Sequence, residues 1–193
     1  GDKVVLLLHG TLTHNGRSMY TDLQQNLVKQ GVSSLSMNLS LGLDNRHGEY
    51  DCAVPHTHKH TDALKEVALW QDWLKQKGVK QITIVGHSRG GNQVAWYMSE
   101  HAKDPMIHNA VLLAPATKEQ QSAQEYEKKY HQPLAKVLDQ ANNLVKAGKG
   151  NALMKEVDFI YCPKAQVSAD AFVDYYTSKP QFDTPTLLKT AVK

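Results

Sequence analysis

The segment from Ile82 to Met98 constrains this chain more than any other. Ile82-Thr83-Ile84-Val85 is a β-branched run of the kind that forms a buried strand. It passes without a linker into Gly86-His87-Ser88-Arg89-Gly90-Gly91, and then into Val94, Ala95, Tyr97 and Met98 on a helical pattern. A strand that becomes a helix in so few residues leaves the residue at the bend, Ser88, in strained backbone. Gly86 and Gly90, two positions to either side, remove side chains that would collide in that bend. The bend lifts the Ser88 hydroxyl clear of the sheet. It also aims the N-terminus of the next helix at that hydroxyl, so the N–H of Arg89 can stabilise negative charge forming there.

The rest of the chain supplies a setting for this bend. Val4 to Leu8 is a short aliphatic run ending at His9-Gly10, as expected of a central strand covered on both faces. A polar loop from Thr11 to Arg17 follows, and then Met19, Tyr20, Leu23, Leu27 and Val28 recur at helical spacing until Gly31. Leu35, Met37 and Leu39 alternate with Ser36 and Asn38, which predicts a second strand. Ser40 to His60 is irregular, with Gly42, Gly48, Pro55 and four histidines, and long loops of this kind are often functional. Leu64, Val67, Leu69, Trp70, Trp73 and Leu74 mark a helix that Thr61 or Asp62 can cap and Gly78 can end. Trp70, Trp73 and Trp96 read as core residues at helical spacing. Ala110 to Ala114 is a fourth strand, closed by Pro115.

Four strands alternating with three helices predict an α/β domain with a parallel sheet and right-handed crossovers. Beyond residue 117 the rhythm stops. Residues 117 to about 149 are charged and helical, and 151 to 186 mix short helical patterns with Pro163, Pro180 and Pro185. The expected organisation is a core over 1–116, a helical cap over 117–186, and the start of a return to the core over 187–193.

A chain of 193 residues fits one domain, and one of this size buries roughly 70% of its unfolded surface. Lys and Arg number 22 against 19 Asp and Glu and are scattered, so nucleic acid is not the expected partner. The longest aliphatic run, Val4 to Leu8, is far short of the roughly 20 residues that cross a bilayer. Gly1-Asp2-Lys3 ahead of that run has none of the features of a secretion signal, so any export signal is expected to have been removed or never to have existed. Cys52 and Cys162 are either two thiols or one disulfide, and the spacing leaves both open. A paired state points to a periplasmic or secreted protein and an unpaired one to the cytoplasm. Nothing in the sequence indicates an oligomeric state.

Gly86-His87-Ser88-Arg89-Gly90 fits the Gly-x-Ser-x-Gly pattern of a serine nucleophile on a strand–turn–helix. A second donor for the developing oxyanion is expected from the loop after the first strand, where the N–H of Thr11 follows His9-Gly10. Both loops lie at the carboxyl edge of the predicted sheet, where open α/β folds bind ligands. His9, Gly10 and His87 are therefore candidates for substrate contact. Val4 to Gly10, Ile82 to Gly91 and Ala110 to Pro115 resemble the central strands of the α/β-hydrolase superfamily, in its serine esterase and lipase branch. The resemblance takes in essentially the whole chain. It implies a three-layer core with a cap, a small-molecule ester substrate, and hydrolysis through an acyl-enzyme on Ser88, with no cofactor and no metal.

The resemblance also implies an acid and a histidine on loops after later strands. Here the last histidine is His131, inside the charged stretch, and no further strand follows Thr186-Leu187-Leu188. Both ends of the chain, the C-terminal strands above all, are thus expected to be missing and this segment alone to be inactive. A hydrolase scaffold that binds without catalysis is the alternative. A triad of Ser88 with His131 and either Glu119 or Asp104 keeps the right order, but the charged neighbours of His131 favour solvated surface. His56, His58 and His60 alternate, which in an extended segment would put three imidazoles on one face. A polar loop lining the pocket mouth is the preferred reading over a metal site.

Overall fold

The computed structural model describes residues 1–191. Its main sheet has four parallel strands, β1 (Lys3–Leu8), β2 (Ser33–Met37), β3 (Gln81–His87) and β4 (Ile107–Leu113), in the order β2-β1-β3-β4. Three helices connect them: α1 (Ser18–Lys29), α2 (Asp62–Gln76) and α3 (Arg89–Glu100). The order follows from hydrophobicity. β1 and β3 carry the continuous apolar runs and lie inside, with Leu6, Leu7, Leu8, Ile82 and Ile84 essentially inaccessible. β2 alternates with serines and forms one edge, while β4 forms the other and leaves Val111 and Leu113 exposed. The β3–β4 register runs through His87 opposite Leu113, so pairing holds right up to the bend.

Helix α2 ends as predicted at Gly78, whose φ of 85° only glycine adopts freely, with the Val79 N–H donating to the Leu74 carbonyl at 3.0 Å. Its start differs from expectation. Thr61 makes no capping bond; its hydroxyl donates to Asp174 at 3.0 Å, and the Asp62 carboxylate accepts from the Lys59 N–H at 2.8 Å. The tryptophans divide. Trp96 is buried against Phe182 and Trp70 packs partly on the sheet core, but Trp73 is 43% exposed. α2 meets the sheet through Ala63, Val67 and Leu74, and Trp73 falls to the side of that stripe.

Beyond β4 come α4 (Ala123–Tyr130), α5 (Leu134–Lys146), α6 (Ala169–Tyr176) and α7 (Thr184–Ala191). Between α5 and α6 lies an element that the sequence pattern did not show, an antiparallel hairpin of β5 (Leu153–Phe159) and β6 (Cys162–Ser168). Its turn residues, Ile160 and Tyr161, both have positive φ although neither is Gly or Asn, so the usual hairpin signature is missing. This segment has its own core, built from Tyr126, Phe159, Phe172, Tyr175 and Tyr176, which closes over Leu12 and Tyr50. It therefore sits on the loops at the carboxyl edge of the sheet. α7 then returns to α3, with Leu187 beside Trp96 and Phe182; positions 192 and 193 lie outside the described residues. Among the described residues no helix is long and apolar enough to cross a membrane.

Cys52 and Cys162 are joined in a disulfide with a sequence separation of 110, fastening the 40–61 loop to β6. The same loop also adds itself to β6 through backbone, His56 N–H donating to Gln166 at 2.8 Å and Ser168 N–H donating to His56 at 2.9 Å. Closing so long a loop restricts the unfolded chain, and the Cys52→Ser/Cys162→Ser double variant should be less stable by about 2–4 kcal/mol. Urea titrations of the two proteins check this, and coincident midpoints would refute it.

Candidate active site

Ser88 sits between β3 and α3 with φ 54° and ψ −120°, a region costing a non-glycine residue about 1–3 kcal/mol. The surrounding glycines explain how it is held there. A Cβ on Gly86 would lie 2.4 Å from the Gly90 carbonyl oxygen, and one on Gly90 would lie 2.4 Å from that of His9. α3 is thus pressed onto the end of β1 more closely than any side chain allows. The Ser88 carbonyl is fixed by the N–H groups of Gly91 at 2.9 Å and Ala116 at 2.8 Å.

The β1 loop runs directly against the bend, since a Cβ on Gly10 would meet Ser88 Cβ at 3.3 Å. Tyr20, the one fully buried residue of α1, holds the two together. Its hydroxyl accepts from the Gly10 N–H at 3.0 Å and lies 3.0 Å from His87 Nδ1. The Gly10 N–H is therefore engaged, and the next amide, that of the half-buried Thr11, follows it at the turn. Thr11 is in turn tied to the bend, its hydroxyl accepting from Arg89 Nε at 2.8 Å.

His9, expected at the substrate, is only 1% exposed and faces the protein interior. Its Nε2 accepts from the Leu39 N–H at 3.0 Å, which fixes the tautomer and leaves Nδ1–H to donate to the Gly10 carbonyl at 2.8 Å. It shapes the loop from behind, through its bonds to Leu39 and Gly10. Burial holds its pKa down to about 4, so the ring stays neutral. His87 is partly exposed, beside Gly10, and burial lowers its pKa also.

His56, His58 and His60 do not line a pocket mouth. All three are at most 1% exposed. His56 Nδ1 shares a hydrogen bond of 3.0 Å with His58 Nε2, and His58 Nδ1 one of 2.8 Å with the Tyr175 hydroxyl. His60 Nδ1 accepts from Arg89 Nη1 at 3.1 Å, so its Nε2–H donates to Asn92 Oδ1 at 2.9 Å. Asn92 then donates to Thr184 Oγ1 at 3.0 Å, and Thr184 to the Ala116 carbonyl at 2.6 Å, which closes a chain of bonds beneath Ser88. Among the described residues no group of three or more His, Cys, Asp or Glu is placed to hold a metal ion.

His131 is exposed at the left-handed end of α4. Glu119 is engaged by Thr117, and Asp104 accepts from Gln71 at 2.7 Å at the far end of α3. No side chain of the described residues hydrogen-bonds the Ser88 hydroxyl. Tyr20, Asn92 and the side chain of Arg89 are the residues that spacing did not single out. Tyr20 was visible only as one member of the helical apolar pattern of α1.

A strand, a strained serine and a helix pressed onto a neighbouring His-Gly loop form a recognisable constellation. The family described as alpha/beta hydrolase fold matches residues 3–160 of the sequence. The chain belongs to the α/β hydrolase family. Solved structures agree at the level of fold. Est1E from Butyrivibrio proteoclasticus with ferulic acid bound superposes with a TM-score of 0.61 at 17% identity, over 100% of this chain and 67% of that one. A monoacylglycerol lipase from Paleococcus ferrophilus gives 0.58 at 16%, over 97% and 67%. The α/β hydrolase GrgF from Penicillium sp. sh18 gives 0.61 at 12%, over 98% and 66%. This α/β hydrolase chain thus spans about two thirds of the length of the structures it resembles. No curated protein matches the sequence.

Proposed function

We propose that this protein hydrolyses carboxylic esters of small molecules, with Ser88 as nucleophile. The observation that carries the reading is the strained bend at Ser88 with Gly10 packed against its Cβ. Ser88 Oγ attacks the ester carbonyl, and the N–H groups of Thr11 and Arg89 receive the oxyanion. Arg89 is the first residue of α3, so its N–H has no partner within the helix. The alkoxide leaves, water hydrolyses the acyl-enzyme, and His87 beside Gly10 borders the substrate. The segment over 117–186 acts as a cap on the site, and its core over Leu12 and Tyr50 supports that placement. Neighbours that include Est1E with ferulic acid bound and a monoacylglycerol lipase favour esters among the bonds this fold cleaves. The Cys52–Cys162 disulfide supports folding in an oxidising compartment.

Attack needs a base hydrogen-bonded to Oγ, a role that no described residue fills. The lack of such a base among the described residues favours, as a second reading, a scaffold that binds without turnover. A fluorophosphonate probe should label the wild type at Ser88 and leave Ser88→Ala unlabelled. Equal labelling or equal ester turnover by the two proteins would end the proposal.

A further inference from the structure

The side chain of Arg89 does something that attack by Ser88 does not require. It is 6% exposed, yet no carboxylate of the described residues forms an ion pair with it. The other buried arginine of the chain shows what a satisfied one looks like. Arg46 donates to the carbonyls of Leu39 and Gly48 and to Asn38 Oδ1 at 2.7–2.9 Å. Arg89 reaches only the Thr11 hydroxyl and His60 Nδ1, with the Gln121 amide oxygen 3.0 Å from Nη1 when that amide donates to Thr117. Its Nη2 bonds to no described residue, and its guanidinium lies 5.1 Å from the centre of the Tyr175 ring. A mostly buried cation with one donor open to a cavity is best matched by a group that supplies negative charge.

A cavity of about 270 Å³ lies on this side chain, between the elbow and the segment above it. Arg89, Lys129, Glu125, Tyr126, Tyr130 and Tyr176 line it; Ser88 does not, and the link to the nucleophile runs through Arg89 and Thr11. Its walls offer donors. The Tyr176 hydroxyl accepts from the Ile160 N–H at 3.1 Å and that of Tyr130 from the Tyr161 N–H at 3.0 Å, so each keeps its proton to give. Burial raises the pKa of both phenols, which preserves those protons. Lys129 stands against Arg89 across the cavity, its pKa lowered first by burial and then by that positive neighbour. The single carboxylate on the wall, Glu125, is exposed and 3.9 Å from Lys128.

We propose that this cavity binds a carboxylate carried on an aromatic or short aliphatic group, an acid function of the substrate or product distinct from the scissile ester. Position relative to the reaction rests on the Ser88 reading; the binding itself does not. Phenol and isoleucine walls suit an organic acid, and two cations with two hydroxyl donors suit one carboxylate. A half-ester of a dicarboxylic acid, or an ester of a carboxylate-bearing aryl group, is the class of substrate such a site selects.

Calorimetric titration with benzoate, benzyl alcohol and phenyl phosphate tests this without any turnover. Benzoate should bind about tenfold or more tighter than benzyl alcohol. Lys129→Gln should weaken benzoate and Glu125→Gln should tighten it, each by about 3–10-fold, with benzyl alcohol unmoved by either. Both residues are on the exposed face of α4, so neither change threatens the fold. Equal affinity for acid and alcohol, or variants that leave benzoate unchanged, would overturn the proposal. Phenyl phosphate binding about tenfold tighter than benzoate would overturn it in favour of a phosphate site. Probe labelling of Ser88 in the same samples reports separately on the esterase reading.

Discussion

Replacing Gly90 with alanine is expected to destabilise the protein by about 3 kcal/mol or more, at the severe end of overpacking. The added Cβ would lie 2.4 Å from the His9 carbonyl oxygen and 2.8 Å from that of Leu8. Both obstacles are backbone atoms of the central strand region, so no rotamer change relieves them. α3 must withdraw from the end of β1, and the withdrawal also separates Ser88 from Gly10. Gly148→Ala is the matched control, because nothing lies within 4 Å of its Cβ and its only cost is a φ of 72°, worth about 1–2 kcal/mol. Urea unfolding should therefore rank Gly90→Ala well below Gly148→Ala, with reactivity at Ser88 lost as well. If the two melt alike, α3 is not clamped as described.

The same close approach explains which parts of the molecule were legible in the sequence. Buried parallel strands are nearly all apolar, so Val4 to Leu8 and Ile82 to Val85 announced themselves, and glycines at 86 and 90 are demanded by local geometry. That brought Ser88, Arg89, Gly10 and Thr11 to one place, as the structure has them. What escaped depends on partners distant in the chain. His9 looked like a ligand contact because it precedes Gly10, but Leu39 and Arg46, 30 and 37 positions on, draw its ring inward. His56, His58 and His60 alternate as a surface loop would, and are buried only because residues 159 to 182 fold over them, supplying Tyr175, Phe159 and Phe182. The β5–β6 hairpin was hidden for a different reason. Its turn uses Ile160 and Tyr161 at positive φ, where no local propensity points. Arg89 was read for its backbone alone, since no spacing rule shows a side chain that ends in a cavity.

The buried histidines lead to the second large effect, loss of stability in mild acid. Burial holds His9 and His56 near a pKa of about 4 and His58 near about 3, and pushes His60 well below its ordinary value. In the unfolded chain each titrates at about 6.5. Between these values the unfolded state binds protons that the native state refuses, so stability falls as pH drops below about 6.5 and levels off only near the native values. One such histidine costs about 3 kcal/mol at pH 4. Two independent ones, His9 and a site in the His56–His58 pair, would remove a large part of the about 5–15 kcal/mol that holds a domain together. The local bonding agrees with the sign: a protonated His60 could not accept from Arg89, nor a protonated His9 from Leu39. Urea midpoints measured from pH 7.5 to 4.5 should decline steeply below pH 6.5. His58→Gln should lower stability at neutral pH yet flatten that decline by about one proton. An unchanged slope in that variant, or a midpoint indifferent to pH across the range, would show that these rings are not neutral in the native protein.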